Sequence, residues 1–292
     1  MGRHQWDAVN LLGSSDVSCR FRQACSGLVN QEVFMTKGTS AAEVATWFRE
    51  ARSVVVLTGA GMSAESGIAT FRDARDGLWS QFDAQALATP SAYRADKALV
   101  WGWYVWRMAK VRAAQPNAGH LALVRLAALK SGGVVVVTQN VDDLHERAGS
   151  VGVIHLHGDL FASRCFACAR SFDGFQPPAD AADHPVLRLS PPRCAHCGGY
   201  VRPGVVWFGE MLPQKPWAQA QDVVRRCDLM LLVGTSGVVH PAAALPGAAR
   251  ARGARVVEIN PVVTELSEHV DHVWRATAGE SLPLLHGLLG EG

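Results

Sequence analysis

Short apolar runs alternating with helical segments dominate the chain from Ser53 onward, and no other feature restricts the fold as much. Val54–Leu57, Val134–Thr138, Val153–His157, Val205–Phe208, Leu229–Gly234 and Arg255–Ile259 read as strands, because continuous apolar runs bounded by turn residues suit strands buried on both faces. Between most of them, Ala118–Leu129, Val141–Ala148, Trp217–Arg226 and Ala242–Arg252 read as helices. Strand and helix in alternation require crossovers, and crossovers make a sheet parallel and cover both of its faces. The predicted class is α/β, a doubly wound, parallel, Rossmann-like sheet.

Two stretches interrupt the alternation. Phe82–Ala114 is helical and unusually aromatic, with Tyr93, Trp101, Trp103, Tyr104 and Trp106. Asp159–Pro203 has no helix or strand period and carries Cys165-x-x-Cys168 and Cys194-x-x-Cys197. Each pair makes a tight turn presenting two thiolates, and two such turns give the four-sulfur tetrahedron that zinc prefers. All four positions being thiolate, none stays open for water, so one structural Zn2+ is expected. Buried free thiols or two local disulfides are the alternative for the same residues. His196, inside the second pair, reads as a turn residue. The two stretches are expected to form a smaller inserted subdomain: a helical module (82–114) and a zinc-binding ribbon (159–203). The sheet domain would then comprise 41–81, 115–158 and 204–292, with 1–40 a flexible tail.

With 292 residues, 48% hydrophobic and 18% charged, the chain can bury a full core. Its formal charge of +2 is spread without a basic run, so no nucleic-acid partner is expected. No apolar run approaches the ~20 residues that span a bilayer, so no membrane partner is expected either. Residues 1–40 lack the pattern of a signal peptide, and Asp7, Asp16 and Glu32 argue against a transit peptide. Seven cysteines make an awkward disulfide framework, and four of them in C-x-x-C pairs suggest metal in a reducing compartment. A cytoplasmic monomer acting on a small or peptide substrate is the expectation.

Gly59-Ala60-Gly61 follows a strand directly, where backbone can approach a pyrophosphate closely. Gly-x-Gly alone is weak evidence, since tight turns use glycine without any ligand. Ala64 completes only the looser G-x-G-x-x-A pattern, and no acidic residue ends a second strand about 20 residues on, which disfavours a hydride-transferring dehydrogenase.

The motif series is more specific. Gly59-Ala60-Gly61-Met62-Ser63, Gly67-Ile68-Ala69-Thr70-Phe71-Arg72, Thr138-Gln139-Asn140-Val141-Asp142, His157-Gly158, the four cysteines and Gly234-Thr235-Ser236 follow one another in an order that resembles the sirtuins. The resemblance runs from about Ser53 to Leu289; Ala69 departs from it, standing where the family usually has proline. It implies an NAD-dependent protein-lysine deacylase that consumes NAD as cosubstrate and gives nicotinamide, free lysine and O-acyl-ADP-ribose. By the same resemblance Gly59, Ala60, Gly61, Ser63, Phe71 and Arg72 would line the cofactor loop. Gln139, Asn140 and Asp142 would hold the ribose and nicotinamide, with Asn140 also catalytic. Gly234, Thr235 and Ser236 would meet the far half of the dinucleotide, with Asn260 near the adenosine ribose and Ala278 beside the adenine. For Asn140 or Asp142 taken singly, a helix N-cap is a good reading, and their place in the motif series decides for function.

His155 and His157 are two apart, so on a strand they share a face and pattern alone does not choose between them. The resemblance selects His157, followed by Gly158, as general base toward a ribose hydroxyl, a role suited to a neutral imidazole. It also implies that Val206, Phe208, Gly209 and Glu210 meet the acyl-lysine peptide as an added strand. Tyr104 and Arg107 are three apart on a helix and share a face, and together they offer a planar fork and a phenol donor to a distal carboxylate. Their position and the small Ala88 resemble the sirtuins that prefer succinyl, malonyl and glutaryl lysine. Packing of Tyr104 among tryptophans is the plainer reading of the same pair. Rival functions are mono-ADP-ribosyl transfer on the same scaffold and a non-catalytic NAD-sensing or zinc-ribbon interaction module.

Overall fold

The computed structural model describes residues 41–68 and 82–290; the tail expected at 1–40 lies outside the described residues. Its strands are β1 (Val54–Thr58), β2 (Val134–Thr138), β3 (Ile154–His155), β4 (Gly158–Cys165), β5 (Val201–Val205), β6 (Leu229–Val233), β7 (Arg255–Ile259) and β8 (His272–Trp274). Its helices are α1 (Ala41–Glu50), α2 (Gly61–Ala64), α3 (Ala84–Leu87), α4 (Pro90–Ala95), α5 (Lys97–Ala113), α6 (Ala118–Ala128), α7 (Leu144–Ala148), α8 (Gln214–Arg226), α9 (Leu245–Arg250) and α10 (Ala278–Gly290). Six strands form one sheet in the order β3-β2-β1-β6-β7-β8, every pair parallel. The chain therefore winds outward from β1 in one direction and from β6 in the other. The order reverses between these two neighbours, and in open α/β sheets ligands bind outside the carboxyl ends of the strands at such a reversal.

The unbroken apolar runs are explained by two separate cores. Val54 and Val56 of β1, Leu231 and Val233 of β6, and Val257 and Ile259 of β7 face α1, α6 and α10 through Phe48, Leu123, Leu126 and Leu282. The alternate residues Val55, Leu57, Met230, Leu232 and Val256 point the other way, onto Ala220 and Val224 of α8 and Leu245 and Ala249 of α9. Successive side chains on a strand take opposite faces, so burial on both sides removes any apolar–polar alternation.

A third core holds the inserted subdomain. Tyr93, Trp101, Trp103, Tyr104 and Met108 of the helical module pack with Leu160, Val201, Val205 and Trp207 around the antiparallel pair β4–β5. Here the sequence expectation is corrected. The run Val205–Phe208 is not a strand of the parallel sheet; the strand is Val201–Val205, paired with β4, and it contains Arg202-Pro203-Gly204. Those residues read as a turn. Gly204 belongs there because a Cβ would lie 1.9 Å from the Ala162 carbonyl oxygen. The strand expected at Val153–His157 is cut to Ile154–His155, and the helix expected from Val141 starts at Leu144, leaving Gln139–Asp143 as loop. Among the described residues, no helix is long and apolar enough to cross a membrane.

Candidate active site

Four candidate site residues stand one position beyond the ends of four neighbouring parallel strands: Gly59 after β1, Gln139 after β2, Gly234 after β6 and Asn260 after β7. Two glycines seal the reversal point. The Gly61 amide donates to the Gly234 carbonyl at 2.9 Å. A Cβ on Gly61 would lie 2.7 Å from Gly234 Cα, and Gly234, at φ +61°, would put its own Cβ 2.5 Å from Gly61 carbon. No larger residue fits at either position. Across the crevice, Gln139 Nε2 donates to Thr235 Oγ1 at 2.8 Å, and Asn260 Nδ2 donates to the Thr235 carbonyl at 3.0 Å. Ala60 and Ser236 lie half-buried beside these loops, and Ala278 opens α10 against Gly119 of α6. Phe71 and Arg72 lie outside the described residues.

Ser63, Asn140 and Asp142 form one buried polar group. Asn140 Nδ2 donates to Ser63 Oγ at 3.1 Å, and Ser63 Oγ donates to Asp142 Oδ2 at 3.0 Å. The second Asp142 oxygen accepts the Leu144 amide at 3.2 Å, so this carboxylate caps the turn into α7 and anchors Ser63 at once. Burial raises its pKa, against the lowering effect of the Leu144 and Ser63 hydrogen bonds. A ribose and a carboxamide are rich in hydroxyl, amide and carbonyl groups, which this donor and acceptor set matches.

The two candidate histidines differ sharply. His155 Nδ1 meets the Asn140 carbonyl at 3.2 Å and its Nε2 meets Glu146 Oε1 at 2.7 Å, so both ring nitrogens are committed. Burial lowers its pKa, but Glu146 more than reverses that and the net direction is upward. His157 Nδ1 lies 3.0 Å from the Gln139 carbonyl, which accepts its proton and leaves Nε2 with a lone pair. Its pKa is lowered by burial, partly offset by that carbonyl, so near pH 7 the ring is neutral.

Beneath the loop lies a network that motif reading passes over. Thr58 Oγ1 donates to Thr138 Oγ1 at 2.8 Å, and Thr138 Oγ1 accepts the Asn140 amide at 3.0 Å. With its proton spent, Thr58 accepts from His145 Nε2 at 3.1 Å. His120 stacks edge-on against His145, ring centroids 4.9 Å apart, and both are fully buried. Burial holds them neutral, His120 pushed down to about 3 and His145 to about 4. Nothing in the sequence distinguishes His145 from an exposed helical histidine.

On the inserted side, the Val206 amide donates to the His157 carbonyl at 2.7 Å and the Phe208 amide to the Ala88 carbonyl at 2.9 Å. Val206–Glu210 thus runs between the candidate base and Ala88, with Phe208 exposed and Gly209 at φ +86°. The Glu210 carboxylate is occupied: Arg202 grips both oxygens, and the Trp207 amide donates to Oε2 at 2.9 Å. Tyr104 is 1% exposed and its hydroxyl accepts from Trp207 Nε1 at 2.8 Å. The Arg107 guanidinium carbon sits 4.9 Å from the Trp103 ring centroid and 5.9 Å from that of Tyr104. Burial lowers the Arg107 pKa, and nearby Tyr104 and Asp142 oppose the shift.

The four cysteines converge. Their sulfurs all lie within 4.8 Å of one another, with Cys165–Cys197 at 3.5 Å and Cys168–Cys194 at 3.8 Å. A zinc tetrahedron with bonds of about 2.3 Å needs sulfurs about 3.8 Å apart. Gly199 makes room for them, since a Cβ there would lie 3.1 Å from Cys165 Sγ and 3.3 Å from Cys197 Sγ. The donor set fits Zn2+ in a closed, structural site.

A family model described as the Sir2 family matches residues 59–241. The chain is 50% identical over 242 residues to an NAD-dependent protein deacylase of Corynebacterium glutamicum, covering 82% of this chain and 93% of that one. It is 52% identical over 235 residues to NAD-dependent protein deacylase 1 of Pseudomonas aeruginosa, covering 80% and 93%. Among solved structures it is similar to a Sir2 homolog in complex with NAD, with TM-score 0.78 and 45% identity over 85% of this chain and 93% of that one.

Proposed function

This chain belongs to the Sir2 family and is an NAD-dependent protein deacylase, and on that premise we propose that it acts on lysines bearing acidic acyl groups such as succinyl or malonyl. The observation that carries the acyl preference is the pairing of buried Tyr104 with half-buried Arg107 on one face of α5. An acetyl group offers nothing for a guanidinium fork to grip; a distal carboxylate does.

Bound NAD would supply the C1′–nicotinamide bond whose cleavage drives acyl removal, and with one water the products are nicotinamide, free lysine and O-acyl-ADP-ribose. Gly59, Ala60 and Gly61 would line the loop over its phosphate side, with Phe71 and Arg72 as the resemblance implies, and Thr235, Ser236, Asn260 and Ala278 would meet the adenosine side. Ser63, Asn140 and Asp142 orient the carboxamide and ribose; the buried network keeps them fixed, so little ordering is left for the reaction step. Asn140 is the member of that network nearest in sequence to the carbonyl that orients His157. His157 removes a proton from a ribose hydroxyl at Nε2, because Gln139 has already claimed Nδ1–H. Val206–Glu210 aligns the peptide backbone, while Glu210 keeps that segment in place through Arg202.

The test is turnover of matched succinyl-lysine and acetyl-lysine peptides with NAD, followed by mass spectrometry, for wild type and Arg107→Met. Succinyl preference that disappears in the variant is the expected result. Equal turnover of both peptides, untouched by the variant, would sink the acyl preference, and ADP-ribose appearing on protein side chains would move the assignment to ADP-ribosyl transfer.

A further inference from the structure

The Trp207 indole has no part in the chemistry above, yet it is among the largest fully buried side chains and donates its N–H to the Tyr104 hydroxyl at 2.8 Å. We propose that Trp207 is a positioning residue for acyl selection: by occupying the phenol oxygen as an acceptor, its indole N–H turns the Tyr104 hydroxyl proton toward the carboxylate of the acyl chain. The inference rests on the acidic-acyl reading of the same pocket.

The argument starts from donor and acceptor inventory. An indole nitrogen only donates, whereas a phenol donates one proton and accepts through its lone pairs. Once Tyr104 Oη accepts from Trp207, its own proton has to find another acceptor. Among the described residues, that oxygen has Trp207 as its one hydrogen-bond partner. An acetyl methyl supplies no acceptor, and a succinyl or malonyl carboxylate does. Burial pushes the Tyr104 pKa up to about 12 despite the opposing effects of Arg107 and Trp207, so the proton is present at every working pH. Without a fixed donor behind it, the phenol could present a lone pair to the carboxylate just as readily, which repels.

Trp207 is itself held from three directions. Its amide donates to Glu210 Oε2 at 2.9 Å, and the Arg202 guanidinium carbon lies 3.4 Å from its ring centroid. Arg202, 3% exposed, in turn donates to the Val205 carbonyl at 2.8 Å and grips Glu210. Tyr93 packs on the remaining side, ring centroids 5.2 Å apart. An indole fixed in this way presents its N–H along one direction, and a rigid supporting group is what keeps a recognition side chain in productive geometry.

The experiment compares kcat/KM for succinyl- and acetyl-lysine peptides in wild type, Trp207→Phe, Tyr104→Phe and the double variant. We expect the succinyl-to-acetyl ratio to fall about tenfold in Trp207→Phe, mainly through KM for the succinyl peptide, as the loss of one charge-assisted hydrogen bond requires. Because Trp207 acts through Tyr104, the double variant should fall no more than about twofold below Tyr104→Phe alone. A Trp207→Phe ratio within about twofold of wild type, or losses that add in the double variant, would overturn the proposal while leaving the acidic-acyl reading intact. Wild type without succinyl preference would overturn both. Should Trp207→Phe lose its cooperative melt, 3-benzothienylalanine at 207, which keeps the ring volume and lacks the N–H, gives the same readout.

Discussion

Acid should unfold this protein through two histidines that never touch substrate. His120 and His145 are fully buried and held neutral, with His120 Nε2 and His145 Nδ1 lacking hydrogen-bond partners among the described residues. Their pKa values fall from an ordinary 6.5 to about 3 and about 4 respectively, desolvation being the main cause in both. In the unfolded chain both rings bind protons once the pH drops below 6.5; in the folded chain neither does until far lower. The unfolded state therefore binds more protons, and stability falls with pH throughout that window. From about pH 8 to about pH 5 the difference amounts to about 2 kcal/mol for each ring, or about 4 kcal/mol for the pair. Urea unfolding at the two pH values measures it directly. The control is His120→Gln with His145→Gln. Glutamine at 120 sits at the N3 position of α6, where it can still close the capping box, and at 145 it keeps an amide donor for Thr58. That double variant does not titrate, so it should lose about 4 kcal/mol less than wild type over the same interval. If both proteins lose stability equally, the buried-histidine account is wrong and carboxylates elsewhere carry the acid sensitivity.

Other expectations follow from the same geometry. His157→Ala should lower kcat/KM by about 100-fold or more, whereas His155→Gln should cost far less, and comparable losses would contradict the assignment of the base. The acid limb of the kcat/KM profile should fall below the ordinary imidazole value of 6.5, because burial depresses His157 and only the neutral ring accepts a proton; an acid limb above that value refutes it. Cys168→Ser should abolish zinc binding, measured by metal stoichiometry, and with it the near-ultraviolet circular dichroism of the tryptophans that pack against the β4–β5 pair. Gly158→Ala should destabilise by about 2 kcal/mol or more in urea, since residue 158 has φ +79° and a Cβ would lie 2.2 Å from the Gly204 carbonyl oxygen; an unchanged midpoint would count against that backbone geometry.

What could be read in advance divides along physical lines. Strands β1, β6 and β7, and the second half of β2, are buried on both faces, so their composition announces them without any partner in view. Strand β5 does not announce itself: Arg202-Pro203-Gly204 is turn chemistry in isolation, and only the close approach of Ala162 makes glycine a strand residue there. The cysteine spacing encodes its own geometry because each pair is local. Trp207, Thr58 and His145 give no such signal for the opposite reason, since their partners Tyr104, Thr138 and Thr58 are brought to them by tertiary packing and leave no spacing rule. The choice between His155 and His157 is likewise invisible to periodicity. It lies in which carbonyl each ring meets and in Glu146, which takes the second nitrogen of one ring and leaves the other free.

The central position of β1 has a consequence for biosynthesis. The glycine turn after β1 emerges early from the ribosome, yet its closing partner Gly234 is made long afterward. Glu65, just beyond that turn, waits for Gly279, which lies 214 residues downstream. Such distant pairings fold slowly. A nascent chain paused anywhere before β6 carries the glycine turn without the strand that shapes it. Shaping of that turn then waits for β6, and until β6 pairs, the open edge of β1 is the segment a chaperone would have to cover.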